Sequence, residues 1–578
     1  MTFYVTTPIF YVNAAPHLGH AYTTIGADIL ARHMRQRGEE VFFLTGTDEH
    51  GEPVALAAER EGVTPQELAD RNAERFKAMM GALGASNDFF IRTSDVQHVA
   101  KVQEILTRVK DNGYVYKGLY EGWYCPRCAD FKTDSEIGPE NTCPIHEIAL
   151  VFEKEENYFF ALSKFQEPLE ALYAREGPRE AERGAALAAG AAPDGEGHAE
   201  SVGLQSVGLP PDFVLPAHHF NEARAFVAQG LQDVSLTRAK LTWGVPVPWD
   251  EGHVFYVWFD ALLNYVTALS YARPGEDLTD KFWPASFHII GKDILKFHTV
   301  FWPALLMAAG LELPEHVFVH GFLLMDDKKM SKSLGNVLDP FAIIERYGAD
   351  ALRYYCFREV SFGRDGSVSA AGFEARYEGE LANEYGNLAS RTLAMVARYR
   401  DGELPAATLA GESAVDAPAA TRAGESAVDT SAATRAGESA FDAPVALDPD
   451  LTDDFAGLAE EVCALLDRAE ITQALEAIWR RVRRLNRYVE ERAPWVLAKD
   501  LARARELDAV LASLAEGLRV VSVLLVPYLP VSAERVLEVL GAEDRDLAVA
   551  RFGAGGGAGG AAGRPRRVEA IEPLFPKL

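Results

Sequence analysis

Cysteine is scarce in this chain, five among 578 residues. That is too few and too thinly spread for a disulfide scaffold, and a reducing cytoplasm fits better. No uninterrupted apolar run is long enough to span a bilayer, so no membrane attachment is expected. No basic segment or cleavage site precedes the first apolar strand, which argues against a secretory leader. Positive charge is also in deficit: 57 Lys and Arg face 85 Asp and Glu, a net −28. Such a chain cannot bind nucleic acid indiscriminately, because a phosphate backbone would be repelled by most of its surface. A local field is a different matter. Arg480, Arg481, Arg483, Arg484 and Arg487 fall close together on one expected helix and predict a basic stripe. What remains is the make-up of a globular protein, 48% hydrophobic and 25% charged, in a length that predicts about three or four domains.

The order of patterns predicts an α/β architecture. Residues 1–110 alternate apolar strands (Phe3 to Thr7, Val41 to Leu44) with helical periodicity (Ala21 to Arg35, Pro65 to Leu83), as in the first half of a doubly wound, parallel Rossmann-type sheet. Residues 111–235 break the alternation with a Cys/His cluster and aromatic strands, and read as a connective insertion. The sheet is expected to resume over 236–325, with strands at Val254 to Val257, Phe287 to Ile290 and Val317 to Val319. A loop and connector occupy 326–372, and a helical bundle 373–545. Residues 176–208, the imperfect repeat at 410–442 and the Gly/Ala tract at 553–563, within a tail of 546–578, hold too few large apolar side chains to order a core.

Three clusters carry chemistry. His17-Leu18-Gly19-His20 stands where the first strand gives way to a helix, whose N-terminal N–H groups and dipole favour phosphate. Gly19 lets a base or phosphate approach the backbone, and the two imidazoles share a face. Capping or core histidines are the plainer alternative. Far downstream, Lys329-Met330-Ser331-Lys332-Ser333 places two lysines beside two hydroxyls in a Gly-bearing loop, as a clamp on pyrophosphate requires. Cys125 and Cys128, with Cys143 and His146, form two chelating pairs. Four protein ligands leave no place for water, so one structural Zn²⁺ is expected.

Together these motifs resemble class I aminoacyl-tRNA synthetases. With Thr7-Pro8-Ile9-Phe10-Tyr11, Gly46-Thr47-Asp48-Glu49-His50-Gly51 and Tyr256-Val257-Trp258-Phe259-Asp260-Ala261, the chain is similar to the methionyl-tRNA synthetases over nearly its whole length. The resemblance implies ATP activation of methionine and its transfer to tRNA(Met), with Mg²⁺ accompanying ATP. It implies catalytic roles for His17, His20, Lys329 and Lys332, and a nucleoside site at Gly19, Gly291 and Asp293. Asp48 would anchor the ammonium group. Ile9, Tyr11, Trp258, Ala261, Leu262, Tyr265, Ile294, Phe297 and His298 would hold the amino acid, with a hydroxyl or imidazole donating to sulfur. Leu262 stands where some relatives have proline. Asn387, Arg391 and Trp495 would read the CAU anticodon. No dimer-forming C-terminal tRNA-binding domain is evident, so a monomer is expected. Small nucleotidyltransferases share the His-x-Gly-His device, and a synthetase-derived tRNA-binding regulator or another aminoacyl specificity are further readings.

Overall fold

The computed structural model describes residues 2–128, 130–132, 136–145, 147–174, 212–325, 328–329, 339–409, 444–554 and 567–577, with backbone only at 130 and 328–329. The chain folds as two compact units. The first comprises Met1–Arg35, Glu39–Ile344 and Val360–Ser367, and the second Gln36–Gly38, Glu345–Glu359 and Val368–Leu578.

In the first unit, strands β1 (Thr2–Tyr11), β2 (Glu40–Asp48), β3 (Phe89–Arg92), β4 (Val214–Leu215), β5 (Phe287–Gly291) and β6 (His316–His320) form one sheet in the order β3-β2-β1-β5-β6-β4. Every neighbouring pair is parallel. Strands covered on both faces must be apolar throughout, and β5 is buried along its whole length. The winding reverses between β1 and β5, so the carboxyl ends of those strands flank the crevice where an open α/β sheet takes its ligand. Pairing of β1 with β2 slips between Thr6 and Ile9, around Pro8, which has no N–H to give a ladder. Beyond the slip Tyr11 comes opposite Asp48. Helix α1 (Leu18–Gln36) follows β1; α2 (Val96–Val109) and α3 (Val257–Thr267) pack into the same core.

Two segments depart from the expected plan. Val254–Phe255 is not part of the parallel sheet; it pairs antiparallel with Thr237–Arg238, and α3 begins at Val257. The reason is length: a four-residue apolar run serves a short hairpin or a helix start equally well. Val214–Leu215, inside the stretch read as insertion, forms the sheet's outermost strand, beside β6. The rest of the insertion is an antiparallel sheet of Asp130–Lys132, Val115–Cys125, Val151–Phe160 and Val234–Ser235, in that order. Residues 176–208 and 410–442, and 555–563 of the Gly/Ala tract, lie outside the described residues.

The second unit is helical. Its longest members are Ile471–Arg492 and Ala504–Leu525. Ile471, Leu475, Ile478, Val482, Leu485 and Val489 recur at three- and four-residue spacing and are all buried, which makes one apolar stripe. Arg353 is fully buried, and its guanidinium donates to the carbonyls of Pro527 and Tyr528 at 2.6 and 3.1 Å.

Candidate active site

The two histidines at the start of α1 cap the helix as well as facing one another. The His17 backbone N–H donates to His20 Nδ1, and the Gly19 N–H to His17 Nδ1, each at 3.1 Å. The rings stack at 3.7 Å. An Nδ1 that accepts leaves the ring proton on Nε2, so each imidazole keeps an N–H donor on its far edge. Two helix-start N–H groups expected to await phosphate are therefore taken by imidazoles. A Cβ on Gly19 would lie 3.0 Å from His17 Cε1, so only glycine leaves that ring its place.

His320, at the end of β6, joins this helix to the end of β5. Its Nε2 is 2.8 Å from Thr23 Oγ1 on α1, and in the sheet it lies opposite Gly291. A Cβ at Gly291 would fall 2.7 Å from Asp293 Oδ1, so the exposed Asp293 carboxylate curls back over the strand end. His17, His20, Gly19, Gly291 and Asp293 thus gather at the carboxyl ends of β1, β5 and β6.

The expected amino-acid site is the neighbouring set. Asp48 ends β2 and is 2% exposed. Burial holds its carboxyl well above the usual carboxylate range, and the charges of Asp260 and Glu49 add to this; the His50 N–H and Tyr11 hydroxyl oppose it. Tyr11 meets Trp258 edge-on at 6.4 Å, and Trp258 stacks on Phe297 at 3.7 Å. Ala261, Leu262 and Tyr265 share α3 with Trp258 and are buried; Ile9 and Ile294 are half-buried against the same core. His298 Nδ1 is 3.1 Å from the Ile294 carbonyl, so Nδ1 carries the proton and Nε2 accepts from the Tyr265 hydroxyl at 2.7 Å. Burial lowers His298 to about 4, which keeps it neutral.

Of the lysine loop, the backbone of Lys328–Lys329 pairs antiparallel with Leu323–Met325; Lys332 lies outside the described residues. In the insertion, Cys125, Cys128 and Cys143 bring their sulfurs within 4.8 Å of one another, and His146 lies outside the described residues. The Cys128 and Cys143 sulfurs are 3.6 Å apart, close to the ~3.8 Å that a tetrahedron with Zn–S bonds of about 2.3 Å requires. The Cys128 N–H donates to Cys125 Sγ at 3.4 Å, as thiolate ligands require of their turn. The cluster can hold a metal ion.

In the second unit Arg391 and Trp495 come together. The guanidinium lies 5.8 Å from the indole centre and pairs with Glu490 at 2.8 Å; Asn387, four residues before Arg391 on the same helix, is exposed. The basic stripe does not form as expected. Arg480 pairs with Glu461, Arg483 with Glu380 and Glu384, and Arg484 with Asp454 and Glu491, while Arg481 donates to the Asp454 carbonyl. Acidic side chains from other segments of the unit neutralise most of the run, and Arg487 alone of the five stands exposed with no ion pair among the described residues.

Two features escaped the sequence reading. Arg238 is 2% exposed, bidentate to Glu155 at 3.1 Å, and lies 4.4 Å over the Tyr124 ring. Asp260, beside Trp258 on α3, is fully buried between His50 and His98. The only hint was three consecutive ionisable residues, Asp48, Glu49 and His50, directly after an apolar strand.

A parallel sheet with paired histidines at its switch point is the arrangement of a nucleotide-dependent class I synthetase. The sequence matches the family profile described as tRNA synthetases class I (M) over residues 3–150 and 212–393. It is 42% identical over 552 residues to the methionine–tRNA ligase of Streptomyces coelicolor, covering 94% of this chain and 90% of that protein. It is 39% identical over 547 residues to that of Clostridium tetani, covering 94% and 74%. Among solved structures, Mycobacterium tuberculosis methionyl-tRNA synthetase in complex with methionyl-adenylate is similar with a TM-score of 0.82 and 36% identity, over the full length of both chains. The chain belongs to the methionine–tRNA ligase family of class I tRNA synthetases.

Proposed function

We infer that this chain activates L-methionine with ATP, releasing pyrophosphate, and passes the methionyl group from the adenylate to the 3′-terminal adenosine of tRNA(Met). The observation that carries the methionine half is Asp48, a buried carboxylate with no cation paired to it among the described residues and aromatic side chains beside it. Such a group is costly to bury, and an incoming ammonium relieves that cost. The Trp258–Phe297 stack, with Tyr11, Ala261, Leu262, Tyr265, Ile9, Ile294 and His298, offers aromatic and apolar contacts to a thioether.

The attacking group is the substrate's own carboxylate, so the protein needs no nucleophile. Gly291 and Asp293 take the nucleoside. His17 and His20 direct Nε2–H donors at phosphate oxygens, and Lys329 and Lys332 carry the charge that builds on the departing pyrophosphate. Mg²⁺ enters with ATP. Cys125, Cys128 and Cys143, with His146, would hold one structural Zn²⁺, which stiffens the insertion over 111–235. Residues 1–110 and 236–325 supply the catalytic sheet, 326–372 the lysine loop and connector, and 373–545 the tRNA-reading bundle, followed by the 546–578 tail. In that bundle Asn387 and Arg391 face the edges of unpaired anticodon bases and Trp495 stacks on one. No helix among the described residues is long and apolar enough to cross a membrane; a cytoplasmic monomer fits this reading. The test is methionine-dependent ATP–pyrophosphate exchange with Asp48→Asn. A loss of at least about a hundredfold in kcat/KM for methionine is expected, and unaltered exchange would refute the assignment.

A further inference from the structure

Asp260 has no role in the reaction as described, yet it is among the best-held groups in the first unit. Its Oδ2 accepts from His50 Nδ1 at 2.6 Å and its Oδ1 from His98 Nε2 at 2.7 Å. His98 Nδ1 lies 2.7 Å from Thr267 Oγ1, at the far end of the same helix as Asp260. The three ionisable residues come from the turn just past β2, from α2 and from α3, and all are buried. Two residues before His50 stands Asp48. Two residues before Asp260 stands Trp258, and Ala261, Leu262 and Tyr265 follow on the same helix.

The charge balance around Asp48 is uneven. Just past β2, Glu49 is neutralised by Arg92 of β3 through two contacts at 2.7 and 2.9 Å, and also accepts from Thr47 and Ser94. From α3, Asp260 accepts from the two imidazoles, while Tyr265 on that helix and Tyr11 on β1 bring only hydroxyls. Three carboxylates therefore share one buried region, two already matched and the third left for a ligand.

We propose that Asp260 is a positioning residue for the amino-acid site: it clamps the helix bearing the pocket wall to the strand end bearing Asp48, and its charge sets the pH below which Asp48 releases an ammonium group. The proposal rests on the reading of Asp48 given above. A purely packed joint would fix the helix equally well, but only a charge at this place acts on the titration of its neighbour. The Asp260 charge is one of the causes that hold Asp48 high.

The experiment is ATP–pyrophosphate exchange by the full chain from about pH 5 to about pH 8.5, whose acid limb in kcat/KM for methionine reports the free enzyme's essential base. Asp260→Asn keeps the shape and removes the charge. It should raise the methionine KM roughly tenfold, leave the ATP KM within about twofold, and move the acid limb to lower pH. His98→Leu keeps the carboxylate and removes one partner, so its limb should move the other way. Equal rises in both KM values, or limbs that stay in place, overturn the proposal. If Asp48→Asn keeps full exchange, the ammonium assignment itself falls; if it loses exchange while Asp260→Asn behaves as wild type, only the positioning role falls. Should Asp260→Asn fail to fold by near-ultraviolet circular dichroism, the sign of the His98→Leu shift decides. Failure of both variants to fold makes the cluster a folding element only and overturns it as well.

Discussion

Acidification should weaken the first unit through His298. Burial holds this imidazole far below its ordinary 6.5, at about 4. Between those values the unfolded chain binds a proton that the folded chain refuses, so stability rises with pH across that window. The contribution is fully present above the unfolded value and drains away as pH falls below it. Each pH unit is worth about 1.4 kcal/mol, so going from about pH 7.5 to about pH 5 should cost about 2 kcal/mol from this one group. His288, buried beside it and also lowered, adds loss of the same sign. Asp260, brought down to about 2 by its imidazole partners against the effect of burial, acts only at lower pH. The assay is urea unfolding followed by tryptophan fluorescence at a series of pH values, comparing wild type with His298→Gln, whose amide does not titrate and still offers Tyr265 an acceptor. The variant should be less stable near neutrality but should lose about 2 kcal/mol less on acidification. Parallel pH curves for the two proteins would refute the reasoning.

Trp495→Ala should leave ATP–pyrophosphate exchange intact and lower aminoacylation about ten- to a hundredfold, the worth of one stacked base; equal loss of both activities would mean a packing role. Cys125→Ser should abolish stoichiometric zinc by elemental analysis and lower the melting temperature, and zinc retained at one per chain would show that the cluster is not its site.

What the sequence made legible was local. The apolar strands of β1 and β5, the histidines at a strand-to-helix junction and the two chelating pairs of the insertion each declare themselves within a few residues. Val254–Val257 misled because four apolar residues do not distinguish a strand from the start of a helix. The arginine run misled for a deeper reason: a sequence shows the sign of a charge but not its partner. Glu384 sits 99 residues from Arg483, and Asp454 30 residues from Arg484. Asp260 was hidden in the same way, its imidazoles lying 210 and 162 residues away along the chain. The pairing of Tyr265 with His298 spans 33 residues and was likewise beyond local reach.

The double duty of His17 and His20 bears on any attempt to measure what they do. Each ring accepts a backbone N–H of its own helix through Nδ1, so truncation to alanine would remove that anchor together with the role proposed for Nε2, and the lost rate would overstate the chemistry. Asparagine places its oxygen near where Nδ1 stood, and glutamine its amide near where Nε2 stood. The first substitution spares the anchor, the second spares the reach, and their comparison separates architecture from reactivity.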